Sequence, residues 1–129
     1  MSTPAKPSTN LRYEIRFHPG DQEDGARPEL MNLLRALPKS EKKDSCQRVE
    51  AFLLSLAQKG PFQDPYEDME IDSREIRLYK FVCRRFMIYY SLEDMTFTII
   101  HSRRVRRHKD EVDGQNVVAR RMKGIHLVN

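Results

Sequence analysis

Apolar and polar residues alternate at the start of the chain, then follow a helical spacing, and finally alternate again. Residues 11–17 alternate strictly, which predicts a half-buried strand. Leucines recur at helical spacing over residues 30–37, and a second apolar stripe covers residues 46–56 before Gly60. Two amphipathic helices joined by a tight break predict a helical hairpin.

The second half of the chain returns to a period of two. Residues 61–74 carry prolines and acids and are predicted to be a loop. Residues 74–81, 85–92 and 95–102 are predicted to be three strands, antiparallel because only short connections separate them. The predicted order is β-α-α-β-β-β, with a short last helix near residues 117–123.

Pairing apolar residues with each other sets a register for the last three strands. It places Tyr90 opposite Phe97 and Leu78 opposite Ile88, and this apolar side is expected to pack on the helices. The other side would then be an open face of cations, rings and hydroxyls, which suits a nucleic acid. Its members are Arg77, Tyr79, Arg85, Met87, Tyr89, Thr98, Ile100, Ser102 and Arg104. A merely solvated sheet face explains this pattern equally well.

Charge favours the nucleic-acid interpretation. The net charge is only +4, but residues 103–123 hold eight Arg or Lys against three acids, which leaves 15 against 16 elsewhere. Clustered cations are the usual electrostatic footprint of a polyanion binder. With 129 residues the chain is expected to form one domain, since domains usually have about 100–150 residues. We expect a disordered polar segment at residues 1–10, then a single domain over 11–129 with a basic tail from about residue 103.

Several classes of protein are excluded at this stage. No window approaches the about 18–20 apolar residues that span a bilayer, and the first ten residues have no hydrophobic centre. Cys46 and Cys83 lack a CxxC pair or zinc spacing, so reduced thiols and a cytoplasmic location are expected. The acids of residues 64–72 are too irregular for a calcium loop, and neither a metal nor a cofactor is predicted.

Three short stretches resemble the sheet of the RelE/ParE superfamily, the toxins of type II toxin-antitoxin modules, including HigB-like and phage-derived proteins. These stretches are residues 75–78, 88–94 and 98–104, and the resemblance covers about residues 11–110. It implies an α+β fold, with the helical hairpin packed on one face of a four-stranded antiparallel sheet. It also implies a cognate antitoxin as a partner, and RNA on the ribosome or DNA gyrase as the target.

The resemblance extends to individual positions. Arg77 matches the arginine of the family's second strand, Tyr90 the tyrosine that closes its third strand, and His101 with Arg104 the polar end of its last strand. Met87 is a departure, because the family's ribonucleases carry a phosphate-binding catalytic arginine there. RNA cleavage needs an acid, a base and cations around the phosphate.

The candidate catalytic residues are Arg77, Arg85, His101 and Arg104. The candidate nucleic-acid contacts are Tyr79, Tyr89, Arg103, Arg106, Arg107, His108 and Lys109. In the predicted register His101 faces the core, where a buried, hydrogen-bonded histidine is the commoner outcome. For His108, in a basic run, a solvated tail residue is likewise the commoner outcome.

Three functions therefore compete. The first is a toxin-like, ribosome-dependent endoribonuclease that cuts mRNA. The second is a ParE-like inhibitor of DNA gyrase, and the third is a non-catalytic nucleic-acid-binding module. The Met87 departure weakens the first relative to the others, while the expected face of arginines and tyrosines supports it.

Overall fold

The computed structural model describes residues 11–20, 25–104 and 108–123, with the backbone alone for residues 108–111. The predicted disordered segment at residues 1–10 lies outside this part of the chain. The elements in chain order are β1 (Glu14–Phe17), α1 (Ala26–Arg35), α2 (Lys39–Lys59), β2 (Glu67–Ile71), β3 (Arg74–Cys83), β4 (Phe86–Glu93), β5 (Thr96–Arg104) and α3 (His108–Met122).

The strands form one mixed sheet in the order β1-β5-β4-β3-β2. β1 runs parallel to β5, with Phe17 opposite Ile99, and the other neighbouring strands are antiparallel. The prediction of an α+β domain is confirmed, whereas the prediction of four antiparallel strands is wrong. The helical hairpin and the strands β2, β3 and β4 lie between β1 and β5 in the chain, so this parallel pair has the long connection that it requires.

The helical hairpin packs on one side of the sheet, as predicted. α1 buries Leu30 and Leu34, and α2 buries Phe52 and Leu56 against the sheet. The ring of Phe52 stacks on Phe81 with a centroid distance of 4.0 Å. Burial of such side chains stabilises the fold by about 1.5–3 kcal/mol each. The helical spacing of apolar residues thus identified this core correctly.

The missing strand is β2, which was predicted to be part of a loop. Its exposed positions include the acids Glu67, Asp68 and Glu70, a residue class that is depleted in strands. Only Met69 and Ile71 pack against the sheet core. Two alternating apolar residues are too few to distinguish an edge strand from an acidic loop.

The β3–β4 register differs from the predicted one by three residues. Leu78 lies opposite Ser91, not Ile88, and the hairpin turns through Arg84 and Arg85, with Arg84 at a φ of 53°. Because side chains alternate, an odd shift moves a residue to the other face. Tyr79 consequently lies on the helical-hairpin side, where its ring stacks on Tyr90 at 5.0 Å.

A β-bulge changes the two faces of β5. Tyr90 pairs with Ile99 while Tyr89 pairs with His101, so Ile100 is the extra residue. Ile99 packs on the helical-hairpin side, and Ile100 packs on the other side. Beyond the bulge the alternation is reversed, because His101 stacks on Tyr89 on the α3 side.

The sheet face that was predicted to be open is covered by α3, so that expectation is wrong. Val118 and Met122 of α3 pack with Met87, Tyr89 and Ile100 of the sheet. A β-carbon at Gly114 would lie 2.9 Å from the Tyr89 hydroxyl oxygen, so helix and sheet are in close contact there. The predicted last helix is confirmed, but it begins at His108 and covers the face that was expected to bind nucleic acid.

Candidate nucleic-acid interface

A cleft of about 350 Å³ lies where β5 extends beyond β1, between α1 and the β3–β4 hairpin. Its residues come from α1, from the hairpin and from the end of β5. They are Glu29, Asn32, Leu33, Ala36, Leu37, Arg85, Phe86, Ser102 and Arg104. Ser102 and Arg104 reach this side because the bulge at Ile100 reverses the alternation.

Two residues that line this cleft each have a buried polar atom without a hydrogen-bond partner among the described residues. These atoms are the Ser102 Oγ and the Arg104 Nε. Leaving a buried donor unsatisfied costs about 1–3 kcal/mol, and more for a charged group. Such atoms in a native fold need an explanation, and a ligand that accepts hydrogen bonds supplies one.

Arg85 lies at the mouth of the cleft and is weakly held. Its Nε is 3.5 Å from the Glu41 Oε1, and its side chain is 58% exposed. The neighbouring Arg84 instead donates two hydrogen bonds, of 2.9 and 2.8 Å, to Asp44. These bonds are the largest cause that lowers the pKa of Asp44. Arg84 is therefore a structural link to α2, while Arg85 can turn toward a ligand.

Glu29 lies at the boundary between the cleft and α3. Arg121, on α3, donates 2.8 Å hydrogen bonds to both carboxylate oxygens, and the His101 Nδ1 is 3.0 Å from the Oε1. Burial raises the pKa of Glu29, but the hydrogen bonds and charges of His101 and Arg121 outweigh it, so the pKa is lowered. Glu29 is thus held as an anion by two residues from the other side of β5.

Arg121 is the largest fully buried side chain among the described residues, and it is well satisfied. Besides Glu29, its Nη1 donates to the carbonyl of Ile100, which lies beyond the end of the β1 ladder. Its own carbonyl lies 3.2 Å from the His18 Nε2. The His18 Nδ1 accepts from the backbone N–H of Gly20, so the Nε2 carries the proton and donates to Arg121.

His101, a predicted catalytic residue, lies on the α3 side of the sheet and not in the cleft with Arg104. The expectation that it faces the helical-hairpin core is wrong, because the bulge turns it toward Tyr89. Its Nε2 is buried and has no partner in the described part of the chain. The carboxylate at its Nδ1 orients the ring, but its side chain is only 9% exposed.

Arg77 and Arg104 do not form one site. Arg77 pairs with Leu92 near one end of β4, whereas Arg104 pairs with Phe86 at the other end. Six residues of strand separate these ends by about 20 Å. Arg77 lies 3.8 Å from Asp68, on the exposed surface. The structure therefore gathers Arg85 with Arg104 and leaves Arg77 apart.

The tyrosines predicted to stack on bases are buried. Tyr79 is 1% and Tyr89 0% exposed, so their predicted exposure on an open face is wrong. Tyr90 is also buried, and its hydroxyl donates to the Gln63 Oε1 at 2.7 Å. The nucleic-acid roles of Tyr79 and Tyr89 remain predictions, but in this conformation neither ring offers a free face.

The predicted basic contacts after β5 divide into two groups. Arg103 lies on the α3 side near Gly114, and its Nη1 is buried without a partner in the described segments. Arg106 and Arg107 lie outside the described residues, as do the side chains of His108 and Lys109. Their roles therefore stay predictions.

Glu29 and Arg121 were missed among the predicted site residues. Arg121 follows Val118 at helical spacing and precedes Met122, so its place on the apolar side of α3 was a usable signal. Glu29 had a weaker signal, because an acid in the first turn of a helix is common for electrostatic reasons. Nothing in the sequence pairs the two residues.

Comparison of the chain with family models, curated proteins and solved structures finds no match in any of the three. Within the described residues no three His, Cys, Asp or Glu side chains are grouped as a metal site requires. No helix there has the length and apolar character needed to cross a membrane. The cleft geometry is therefore the main guide to function.

Proposed function

We propose that this protein binds RNA, and that the cleft at the end of β5 is its anchor for the phosphate backbone. The observation that carries the proposal is the pair of unpartnered donors, the Arg104 Nε and the Ser102 Oγ, with Arg85 at the mouth. A phosphate in the cleft, with a small rotation of these two side chains toward it, would give both donors an acceptor. The proposal therefore explains why these polar atoms are buried in a folded protein.

The walls of the cleft strengthen such a contact. Phe86 is 1% exposed, and Leu33 and Leu37 also line the cavity. Apolar walls lower the local dielectric, so a guanidinium attracts a phosphate more strongly there than on an open surface. Hydrogen bonds between arginine and phosphate are also short and directional.

The sequence after Arg104 extends the same charge. Residues 105–109 contain Arg106, Arg107 and Lys109, directly after the strand that supplies Ser102 and Arg104. These three cations offer further positive charge close in sequence to the cleft residues. A chain of phosphates is therefore a better proposed ligand than an isolated phosphate group.

The resemblance to RelE/ParE toxins suggests the setting. We propose RNA on the ribosome as the target and a cognate antitoxin as the partner of the protein. Cleavage of mRNA is the stronger form of this proposal, and two features count against it. The family has a catalytic arginine at the position of Met87, and this methionine is buried under α3. His101 lies on the α3 side of the sheet, away from the cleft. Binding without cleavage is the form that the geometry supports better.

The binding proposal is tested with a labelled single-stranded RNA and fluorescence anisotropy between about 50 and 200 mM salt. Arg104→Ala should weaken binding by about tenfold or more and reduce the salt slope by about one. Arg16→Ala is the matched control, since Arg16 lies on β1 and pairs with Glu14 on the exposed surface. Equal affinities and slopes for both variants would overturn the proposal.

Cleavage is tested separately, by inducing the chain in a bacterium and mapping mRNA 5′ ends. Codon-linked cuts that disappear in Arg104→Ala would support a ribonuclease. Growth arrest without such cuts would exclude cleavage and leave only the binding form of the proposal. A supercoiling assay with purified gyrase would then test the ParE-like alternative.

A further inference from the structure

Glu29 contributes both to the cleft and to the contact between α1 and α3. It lines the cleft together with Arg104, and its two carboxylate oxygens are held by Arg121 and His101. Arg104 keeps an unpartnered Nε within the described residues although an anion lines the same cavity. The hydrogen bonds to Glu29 come instead from Arg121 and His101, on the α3 side of the sheet.

Arg121 provides most of these contacts. It supplies hydrogen bonds to both oxygens of Glu29, while His101 approaches the Oε1 alone. Without Arg121, the Oε2 would lose the hydrogen bond from the Arg121 Nη2 inside a partly apolar cavity. The strongest nearby donors would then be the cations that line the cleft, Arg104 and Arg85. A carboxylate that turned toward them would occupy the place of a phosphate.

We propose that Arg121 is a positioning residue of the RNA site, because docking of α3 holds Glu29 away from Arg104 and keeps the cleft open. This inference rests on the proposed function of the cleft. When α3 leaves the sheet, Glu29 pairs with Arg104 and closes the site. Since coupling between two sites is reciprocal, a phosphate in the cleft also favours the docked helix.

The test uses the full chain with Arg121→Met, alone and combined with Glu29→Gln. Arg121→Met should lose RNA affinity about as strongly as Arg104→Ala, although it changes no group in the cleft. The double variant should regain affinity to within about threefold of the wild type, because the glutamine carries no charge to compete with phosphate. Arg120→Ala, on the exposed side of α3, is the matched control for loss of one positive charge.

A purely structural role of Arg121 predicts a different pattern. If its loss simply unfolds α3, the double variant stays as weak as the single one, and this result overturns the inference. Wild-type affinity in Arg121→Met overturns it as well. Circular dichroism on each variant verifies that the domain is folded at the temperature of the assay.

Inorganic phosphate separates the two proposals. Its binding is followed by NMR shifts of backbone amides at Ser102 and Arg104. The proteins compared are the wild type, Arg121→Met, the double variant and Arg120→Ala. If phosphate binds with the predicted pattern of loss and recovery but RNA does not bind, the coupling holds and the proposed function fails. If RNA binds through Arg104 without that pattern, the proposed function holds and the coupling fails.

Discussion

Arg121 and Arg104 lie on opposite sides of the end of β5, and their surroundings differ in kind. Arg121 is buried under α3 and donates to both oxygens of Glu29 and to the carbonyl of Ile100. Arg104 lies partly buried in the cleft, and its Nε has no partner among the described residues. One arginine completes the fold, whereas the other is left with unused hydrogen-bonding capacity.

Under the proposed function, this difference is the one between a structural cation and a binding cation. Burial alone does not decide it, because both side chains have buried atoms. The deciding quantity is how many donors the protein itself satisfies. A saturated guanidinium has nothing to offer a ligand, while an unsatisfied one lowers stability and increases the affinity for an anion.

The largest expected effect comes from removing the partner of Arg121. Glu29→Ala leaves a buried guanidinium without its carboxylate and should lower the free energy of unfolding by about 3–5 kcal/mol. Urea unfolding followed by circular dichroism measures it. Glu14→Ala is the control, since the Glu14–Arg16 pair is exposed and should contribute about 1 kcal/mol or less. Similar losses in both variants would show that Arg121 does not depend on Glu29.

Acidification should weaken the same contact by a smaller amount. The pKa of Glu29 in the folded protein lies below its ordinary value of 4.5, so the unfolded chain takes up this proton first. Its contribution to stability is therefore complete above that ordinary value and is lost as the pH falls through the folded pKa.

Urea unfolding at a series of acidic pH values tests this linkage. In Glu29→Gln the decline should be shallower, with the remainder due to other carboxyls such as Asp44, whose pKa is also lowered. If the free energy of unfolding fell equally steeply with pH in the wild type and the variant, Glu29 would not contribute to the acid dependence of stability.

A moderate effect is expected where α3 approaches the sheet. In Gly114→Ala the new methyl would lie 2.9 Å from the Tyr89 hydroxyl oxygen and 3.2 Å from the Arg103 Cδ. Alanine favours helix by about 1 kcal/mol over glycine, but overpacking costs about 1–3 kcal/mol. We expect a net loss of about 1 kcal/mol in thermal unfolding, whereas Gln115→Ala, on the exposed side, should be neutral or stabilising. A gain in stability for Gly114→Ala would mean that α3 packs less closely on the sheet than the contact with Tyr89 indicates.

The smallest effect is expected at Arg104. Arg104→Met removes an unsatisfied buried donor and keeps a long side chain over the cleft, so stability should stay within about 0.5 kcal/mol or rise. Thermal unfolding at one pH is sufficient to measure this. Destabilisation as large as that of Glu29→Ala would show that Arg104 has a structural partner, and the contrast between the two arginines would disappear.

The sequence predicted well what depends on repeated apolar spacing. The leucines of α1 and the apolar stripe of α2 indicated the helical hairpin, and alternation located β3, β4 and β5 to within a few residues. Each of these elements carries several apolar residues in one period. The prediction failed at β2, where acids occupy the exposed positions of an edge strand.

Most of the candidate site was beyond prediction for a different reason. Placing Arg104 in the cleft requires the bulge at Ile100, and hydrophobic pairing gives no sign of one extra residue. The link between Glu29 and Arg121 joins residues of two helices that are 92 positions apart in the sequence. The sequence grouped Arg85 and Arg104 with Arg77 because of their charge, whereas the structure brings only Arg85 and Arg104 to this cleft.

The extra residue in β5 has a consequence for how this strand is compared with others. Before Ile100 the residues that face the helical hairpin have odd numbers, such as Phe97 and Ile99, and after it they have even numbers, Ser102 and Arg104. An alignment that crosses this point without a gap would equate positions from opposite faces of the sheet. In a related chain without the extra residue, the cleft arginine would stand one position earlier in the sequence. An ungapped alignment would therefore match it with Arg103, which lies on the opposite face.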